Sequence, residues 1–82
     1  MNKELKISYD ILKSVIVDKS YVSIELNKVL NGATGVNTAL ITKIVYGVLE
    51  KDISLEYYIS QNVTKLPKVN ILLLLKIVAY VS

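Results

Sequence analysis

The ionisable side chains of this chain are lysines, carboxylates and tyrosines, because it contains no cysteine, no histidine and no arginine. A thiolate nucleophile, a disulfide and a thiolate metal site are therefore excluded. A metal site would need oxygen ligands only, and no group of Asp and Glu has the spacing of a calcium-binding loop. Ten Lys against seven Asp and Glu leave a formal charge of +3. Lysine is a flexible point charge that suits phosphate, so the composition is compatible with an RNA partner without requiring one.

The lysines and tyrosines each have a functional and a structural interpretation. The candidate phosphate contacts are Lys3, Lys6, Lys13, Lys28, Lys43, Lys51 and Lys76. For each of them a solvated helix face is the alternative. The six tyrosines could stack on unpaired bases, although tyrosines at helical spacing more often lie at the edge of a core. Among them we expect Tyr57 to be the most exposed, because Tyr58 is predicted to face inward.

Apolar residues recur at helical spacing along nearly the whole chain and predict five α-helices that position these side chains. The first covers about residues 3 to 17, and the second ends at Asn31-Gly32 before a loop over 32–35. Asn37 is predicted to cap the third helix and Ser54 the fourth, and Pro67 to lie in the first turn of the fifth. The inner faces are predicted to include Val22, Leu26, Val29 and Leu30 in the second helix, Leu40, Ile41, Ile44, Val45 and Val48 in the third, and Leu55, Tyr58, Ile59 and Asn62 or Val63 in the fourth.

Two features of these helices predict how they pack. Gly47 costs the third helix about 1 kcal/mol relative to alanine, which indicates close backbone approach by a neighbouring helix. The fifth helix is apolar on nearly all sides, so it is predicted to be buried on most faces, and four short helices can cover only part of it. We therefore expect a single domain over 1–82 that is truncated, with self-association through the last helix.

The apolar run Ile71–Val81 has about half of the ~20 residues that a membrane span requires, and Lys76 lies in its middle. The N-terminal residues do not resemble a signal peptide. We expect a cytoplasmic protein without a membrane partner.

Several segments, taken in order, resemble the NusB-type RNA-binding helical domain. They resemble most closely the form at the N-terminus of bacterial ribosomal RNA cytosine-C5 methyltransferases of the RsmB (Sun) type. The segments are Ser8–Leu12, Tyr21–Leu30, Ile44–Leu49, Leu55-Glu56 and Pro67–Tyr80. The chain departs from the family pattern where Ser8 replaces an alanine, Glu50 an arginine and Lys76 an arginine. Replacing a forked donor with a point charge or a carboxylate weakens a phosphate-binding surface.

The resemblance implies an RNA-binding accessory domain that positions ribosomal RNA for a separate, downstream catalytic domain. Methylation at cytosine C5 needs a thiolate, so this chain is not expected to be an enzyme by itself. S-adenosylmethionine would be bound by the parent protein, and no cofactor or metal is expected in this chain. The expected RNA contacts are Lys3, Lys6, Lys13 and Lys51, and the residues with expected structural roles are Gly47, Glu56 and Lys76. Because an unpaired ammonium is costly in an apolar run, Lys76 is expected either to pair with Glu56 or to snorkel to solvent.

Two alternatives remain open at this point. The first is a transcription antitermination factor of the NusB type, which binds leader RNA together with a ribosomal protein. A gene that continues into a cysteine-containing α/β domain would favour the methyltransferase. The second alternative is a helical protein-interaction module with little RNA affinity, which would bury its last helix against a partner or a second copy.

Overall fold

The computed structural model describes residues 3–32 and 34–82, and in these it contains five α-helices and no strand. The helices are α1 (Lys3–Ile16), α2 (Val22–Gly32), α3 (Thr38–Glu50), α4 (Asp52–Ser60) and α5 (Val69–Val81). The predicted all-α, five-helix architecture is therefore confirmed. Of the predicted loop over 32–35, Ala33 lies outside the described residues.

The central element of the bundle is α3, which contacts each of the other four helices. Its apolar residues recur every three or four positions, so they form one continuous inner surface. The fully buried ones are Ile41, Ile44, Val45 and Val48. Leu12 from α1 and Ile77 from α5 pack into the same cluster and are also fully buried. The core is therefore built mainly by α1, α3 and α5.

The first turns of α1 and α3 are joined by polar contacts around Asn37. The Asn37 side-chain oxygen accepts a hydrogen bond of 3.1 Å from the Leu40 N–H, which confirms the predicted N-cap. The Asn37 N–H in turn donates to a Glu4 carboxylate oxygen at 3.0 Å. This hydrogen bond is the main reason that the pKa of Glu4 lies below its usual value, because it stabilises the charged carboxylate.

Ser8 shows how a polar residue is accommodated in the core of α1. Its side chain is fully buried, and its hydroxyl donates a 2.7 Å hydrogen bond to the Glu4 carbonyl one turn earlier. The buried hydroxyl is therefore satisfied within its own helix. A serine can therefore be buried at this position without leaving an unpaired polar group.

The boundary prediction for α4 is wrong. α4 begins at Asp52 rather than after Ser54, which is an exposed residue inside the helix, and no side chain caps its first turn. Tyr58 is exposed instead of facing inward, and only Leu55 and Ile59 of the predicted inner face are half-buried or buried. Asn62 and Val63 lie beyond the end of α4 and are exposed.

Smaller differences occur in α2 and before α5. Leu30 was expected on the inner face of α2 but is exposed, while Leu26 is buried. Pro67 lies two residues before the first residue of α5, so it precedes the first turn instead of lying in it. A proline at this position still prevents the helix from extending backwards, since it restricts the residue before it.

In the described residues, the other helices cover only one side of α5. Its buried residues are Leu72, Leu73, Lys76 and Ile77. Its exposed apolar residues are Val69, Ile71, Leu74, Leu75, Val78 and Val81. The prediction that α5 is buried on most faces is therefore wrong for the described residues, whereas the expectation that four short helices can cover only part of it is confirmed.

Candidate nucleic-acid interface

Three of the lysines that the resemblance assigns to RNA lie on the outer face of α1. Lys3, Lys6 and Lys13 are separated by three and seven residues, which places them on one side of the helix, and all three are exposed. Asp10 lies on the same side, and both its carboxylate oxygens accept hydrogen bonds of 2.8 Å from the Lys6 Nζ. More than half of each side chain in this pair is exposed, so the pair adds little stability. Its main effect is to neutralise part of the positive face between Lys3 and Lys13.

The fourth predicted lysine, Lys51, lies at a different place, in the joint between α3 and α4. Its backbone N–H donates to the Gly47 carbonyl at 3.0 Å and so closes the last turn of α3. Its side chain borders a groove of about 390 Å³ between α3 and α5. The residues that line this groove are Leu40, Lys43, Ile44, Lys51, Tyr80 and Val81. No α1 residue lines it, so the four lysines form two separate basic sites.

Tyr80, one of the residues that line this groove, also contacts Gly47 of α3. The Tyr80 ring from α5 lies where a side chain on Gly47 would be: a Cβ built there would overlap the ring Cζ and the hydroxyl oxygen and would lie 2.6 Å from Cε1. The sequence predicted that a neighbouring helix backbone approaches Gly47. The group that approaches is instead an aromatic ring, and the absence of a side chain on Gly47 leaves the space that the Tyr80 ring occupies.

Lys76 is buried and holds two carboxylates of α4. Its Nζ lies 2.7 Å from an Asp52 oxygen and 3.3 Å from a Glu56 oxygen. The Lys76 side chain is 8% exposed, whereas the two carboxylates are 40% and 46% exposed, so the cluster lies at the edge of the core with its acidic side facing solvent. The expected contact with Glu56 is present, and Asp52 is the closer partner. Sequence reasoning missed Asp52 because it placed the start of α4 after that residue.

The tyrosines differ from the expected order of exposure. Tyr57 is 68% exposed, but Tyr21 at 74% is more exposed, and Tyr58 at 61% is nearly as open. Tyr80 is only half-buried and had not been distinguished from the other tyrosines. It is the tyrosine that lines a groove together with two lysines. The signal that could have found it is Gly47, whose missing side chain requires a partner of matching size.

A second groove, between α4 and α5, is apolar. It has a volume of about 530 Å³. Its lining consists of Tyr58, Ile59, Asn62, Val63, Leu75, Val78, Ala79 and Ser82. None of these side chains is charged. Ile71 and Leu74 are exposed and lie one helical turn before the lining residues Leu75 and Val78. They extend the apolar surface of this groove along α5.

Comparison with protein-family models, with curated proteins and with solved structures finds no match for this chain. None of the helices in the described part is long and apolar enough to cross a membrane. Within the same residues, no three carboxylates are grouped closely enough to hold a metal ion.

Proposed function

We propose that this chain is an RNA-binding helical domain of the NusB-like type. In this proposal it positions ribosomal RNA for the separate catalytic domain of a cytosine-C5 methyltransferase. The observation that supports RNA binding is that exposed lysines without a carboxylate partner lie at two sites, the outer face of α1 and the α3–α5 groove. Within the described residues, the side chains of Lys13, Lys43 and Lys51 form no ion pair. The lysines that do form ion pairs are Lys6, Lys28 and Lys76.

The proposed mechanism is electrostatic and positional. Lysines on the outer face of α1 and beside the α3–α5 groove neutralise phosphates, and the counterions released from the RNA supply most of the binding free energy. Contacts of this kind fix the register and orientation of the RNA but do not distinguish its bases. A helical bundle with a well-packed core is suited to this role because it holds the two basic sites at a constant separation.

The salt dependence of RNA binding tests the proposal. We expect the affinity for a labelled ribosomal RNA fragment to fall steeply between 50 and 200 mM salt, because each phosphate contact contributes a slope of about 0.7 to 0.9. A variant with Lys3→Gln and Lys13→Gln should bind more weakly and with a smaller slope. The matched control is Lys65→Gln with Lys68→Gln, which removes the same charge from exposed positions between α4 and α5. No measurable binding, or a flat salt dependence, would contradict the proposal.

A second candidate function is favoured by the apolar surface of α4 and α5. Single apolar side chains are common on protein surfaces, but contiguous apolar patches beyond about 300–600 Å² mark interaction sites. Leu75 and Val78 lie in the middle of this surface, 37% and 49% exposed. In this interpretation the chain is a helical interaction module and a second copy covers this surface, since no charged side chain lines the groove.

Sedimentation across tens of micromolar tests association through this surface, and the RNA-binding assay above tests the other function. Self-association is expected for the native chain, and Leu75→Glu with Val78→Glu should return it to a monomer because two carboxylates cannot be buried unpaired in the interface. Ile24→Glu, at an exposed position on α2, is the control and should leave association unchanged. A native chain that remains monomeric throughout this range would rule out the interaction through a second copy.

A further inference from the structure

We infer that the groove between α3 and α5 binds one unpaired nucleobase of a single-stranded RNA and its flanking phosphates. Tyr80 is the stacking surface in this site, and Lys43 and Lys51 contact the phosphates. The inference rests on the proposed RNA binding and specifies a site for it that is separate from the α1 face.

Tyr80 is suited to stacking because its ring is held in place. Its outer end rests on the α3 backbone at Gly47, where any larger residue would displace it. The ring is half-buried and lines the groove, so it has support on one side and open space on another. A ring held in this way loses little further freedom when a base stacks on it, which favours binding. Tyr21 and Tyr57 are more exposed but do not line this groove.

Lys43 and Lys51 lie at equal sequence distances before and after the Gly47 position that the Tyr80 ring contacts. Lys43 lies in α3 four residues before Gly47, and Lys51 lies just after the end of α3, four residues beyond Gly47. Both line the groove together with Tyr80, whose ring end contacts Gly47. At a rise of 1.5 Å per residue their backbones are about 12 Å apart, a span that their flexible four-carbon stems can shorten. An aromatic ring together with two cations matches a nucleotide, which has a base and flanking phosphates.

The rest of the lining narrows the class of ligand. Leu40, Ile44 and Val81 provide apolar walls, and no carboxylate lines the groove. Glu50 is exposed next to Lys51 but is not among the lining residues. A cationic ligand would find no counter-charge here, whereas an anion with a flat apolar part satisfies both kinds of lining. The volume of about 390 Å³ lies at the lower end of the range for small-molecule sites and suits one nucleotide.

Two hexameric RNAs distinguish the contribution of base stacking to binding from that of phosphate contacts. One is oligoadenylate, and the other is an abasic ribose-phosphate hexamer with the same charge. Tyr80→Leu should weaken oligoadenylate binding about 5- to 10-fold and leave the abasic hexamer unchanged, since only a base can stack. Tyr80→Phe should bind both like the native chain. Lys43→Gln with Lys51→Gln should weaken both hexamers and lower the salt slope by about 1.4, whereas the Lys65→Gln, Lys68→Gln control should not.

Cross-linking of the native chain keeps the test independent of any folding defect. An oligonucleotide containing 5-iodouridine is irradiated with the unmodified protein, and the modified peptide is identified by mass spectrometry. We expect the cross-link at Tyr80. Binding of oligoadenylate with cross-links at Tyr21 or Tyr57, and equal affinities for Tyr80→Leu and native protein, would overturn this inference while leaving RNA binding in place. Failure of the native chain to bind either hexamer or ribosomal RNA would instead overturn the proposed function.

Discussion

Replacing Gly47 with alanine is expected to destabilise the fold when Tyr80 is present and to stabilise it when Tyr80 is absent. Alanine is favoured over glycine inside a helix by about 1 kcal/mol. Against this gain, the new Cβ would occupy the space of the Tyr80 ring end, which must move. The change therefore contains two opposing contributions, and only one of them depends on Tyr80.

The magnitude follows from how far the ring can move. Because the overlapping atoms belong to the outer end of a half-buried side chain, the ring can swing away from α3 at the loss of its packing. Overpacking of this kind costs about 1–3 kcal/mol. The net effect of Gly47→Ala is thus a loss of about 0–2 kcal/mol with Tyr80 and a gain of about 1 kcal/mol in a Tyr80→Ala background. Against a total stability of about 4–12 kcal/mol for a chain of this size, the difference of about 1–3 kcal/mol between the two backgrounds is measurable.

The assay is urea unfolding, followed by far-ultraviolet circular dichroism, of the four proteins in this double-mutant cycle. A coupling free energy of about 1–3 kcal/mol between positions 47 and 80 is expected, with unchanged dependence on urea concentration. If Gly47→Ala stabilises both backgrounds equally, the ring does not rest on α3 and the reasoning is wrong. The same substitution should also reduce oligoadenylate binding but not binding of the abasic hexamer, since it displaces the stacking surface without removing charge.

Three further results are expected. Glu56→Gln should lower the free energy of unfolding by only about 0.5–1 kcal/mol, because Asp52 remains as the closer partner of Lys76. RNA affinity should change less than stability. A larger effect on RNA affinity than on stability would refute a structural role for the Glu56–Lys76 pair. The hydrogen bond from the Asn37 N–H lowers the pKa of Glu4 in the folded state. The ionised Glu4 side chain therefore stabilises the fold fully at a pH above its usual pKa of 4.5, and this stabilisation is lost as the pH falls through the lowered pKa. The difference in melting temperature between native protein and Glu4→Gln should therefore shrink in acid, and a difference that stays constant from pH 7 to pH 3 would contradict this. Lys19 is the non-glycine residue with a positive φ (61°) in the described chain. Replacing it with glycine should raise the free energy of unfolding by about 0.5–1 kcal/mol, because glycine adopts this backbone conformation without strain. Urea unfolding measures the change, and a decrease would show that the lysine side chain is needed.

The comparison of α3 and α4 shows why some elements could be predicted and others not. The inner face of α3 and its Asn37 cap depend on residues within four positions of each other, so the chain read locally is sufficient. The start of α4 depends on Lys76, which is 24 residues away from Asp52. A local serine cap would contribute only about 1 kcal/mol, and the structure instead has Asp52 paired with Lys76 and Ile59 buried. Tyr58 faces solvent for the same reason, because the docking of α4 on α5 sets which side is inward.

The amino-acid sequence by itself determined the helical class, the number of helices and the restriction of the ionisable side chains to lysine, carboxylate and tyrosine. These follow from composition and from a periodicity that each segment has on its own. The tertiary structure decided which lysines share a surface, which carboxylate lies nearest Lys76, and which tyrosine lies beside cations. Each of these depends on packing between residues distant in the chain, such as Gly47 and Tyr80, and no local pattern encodes the distance between them.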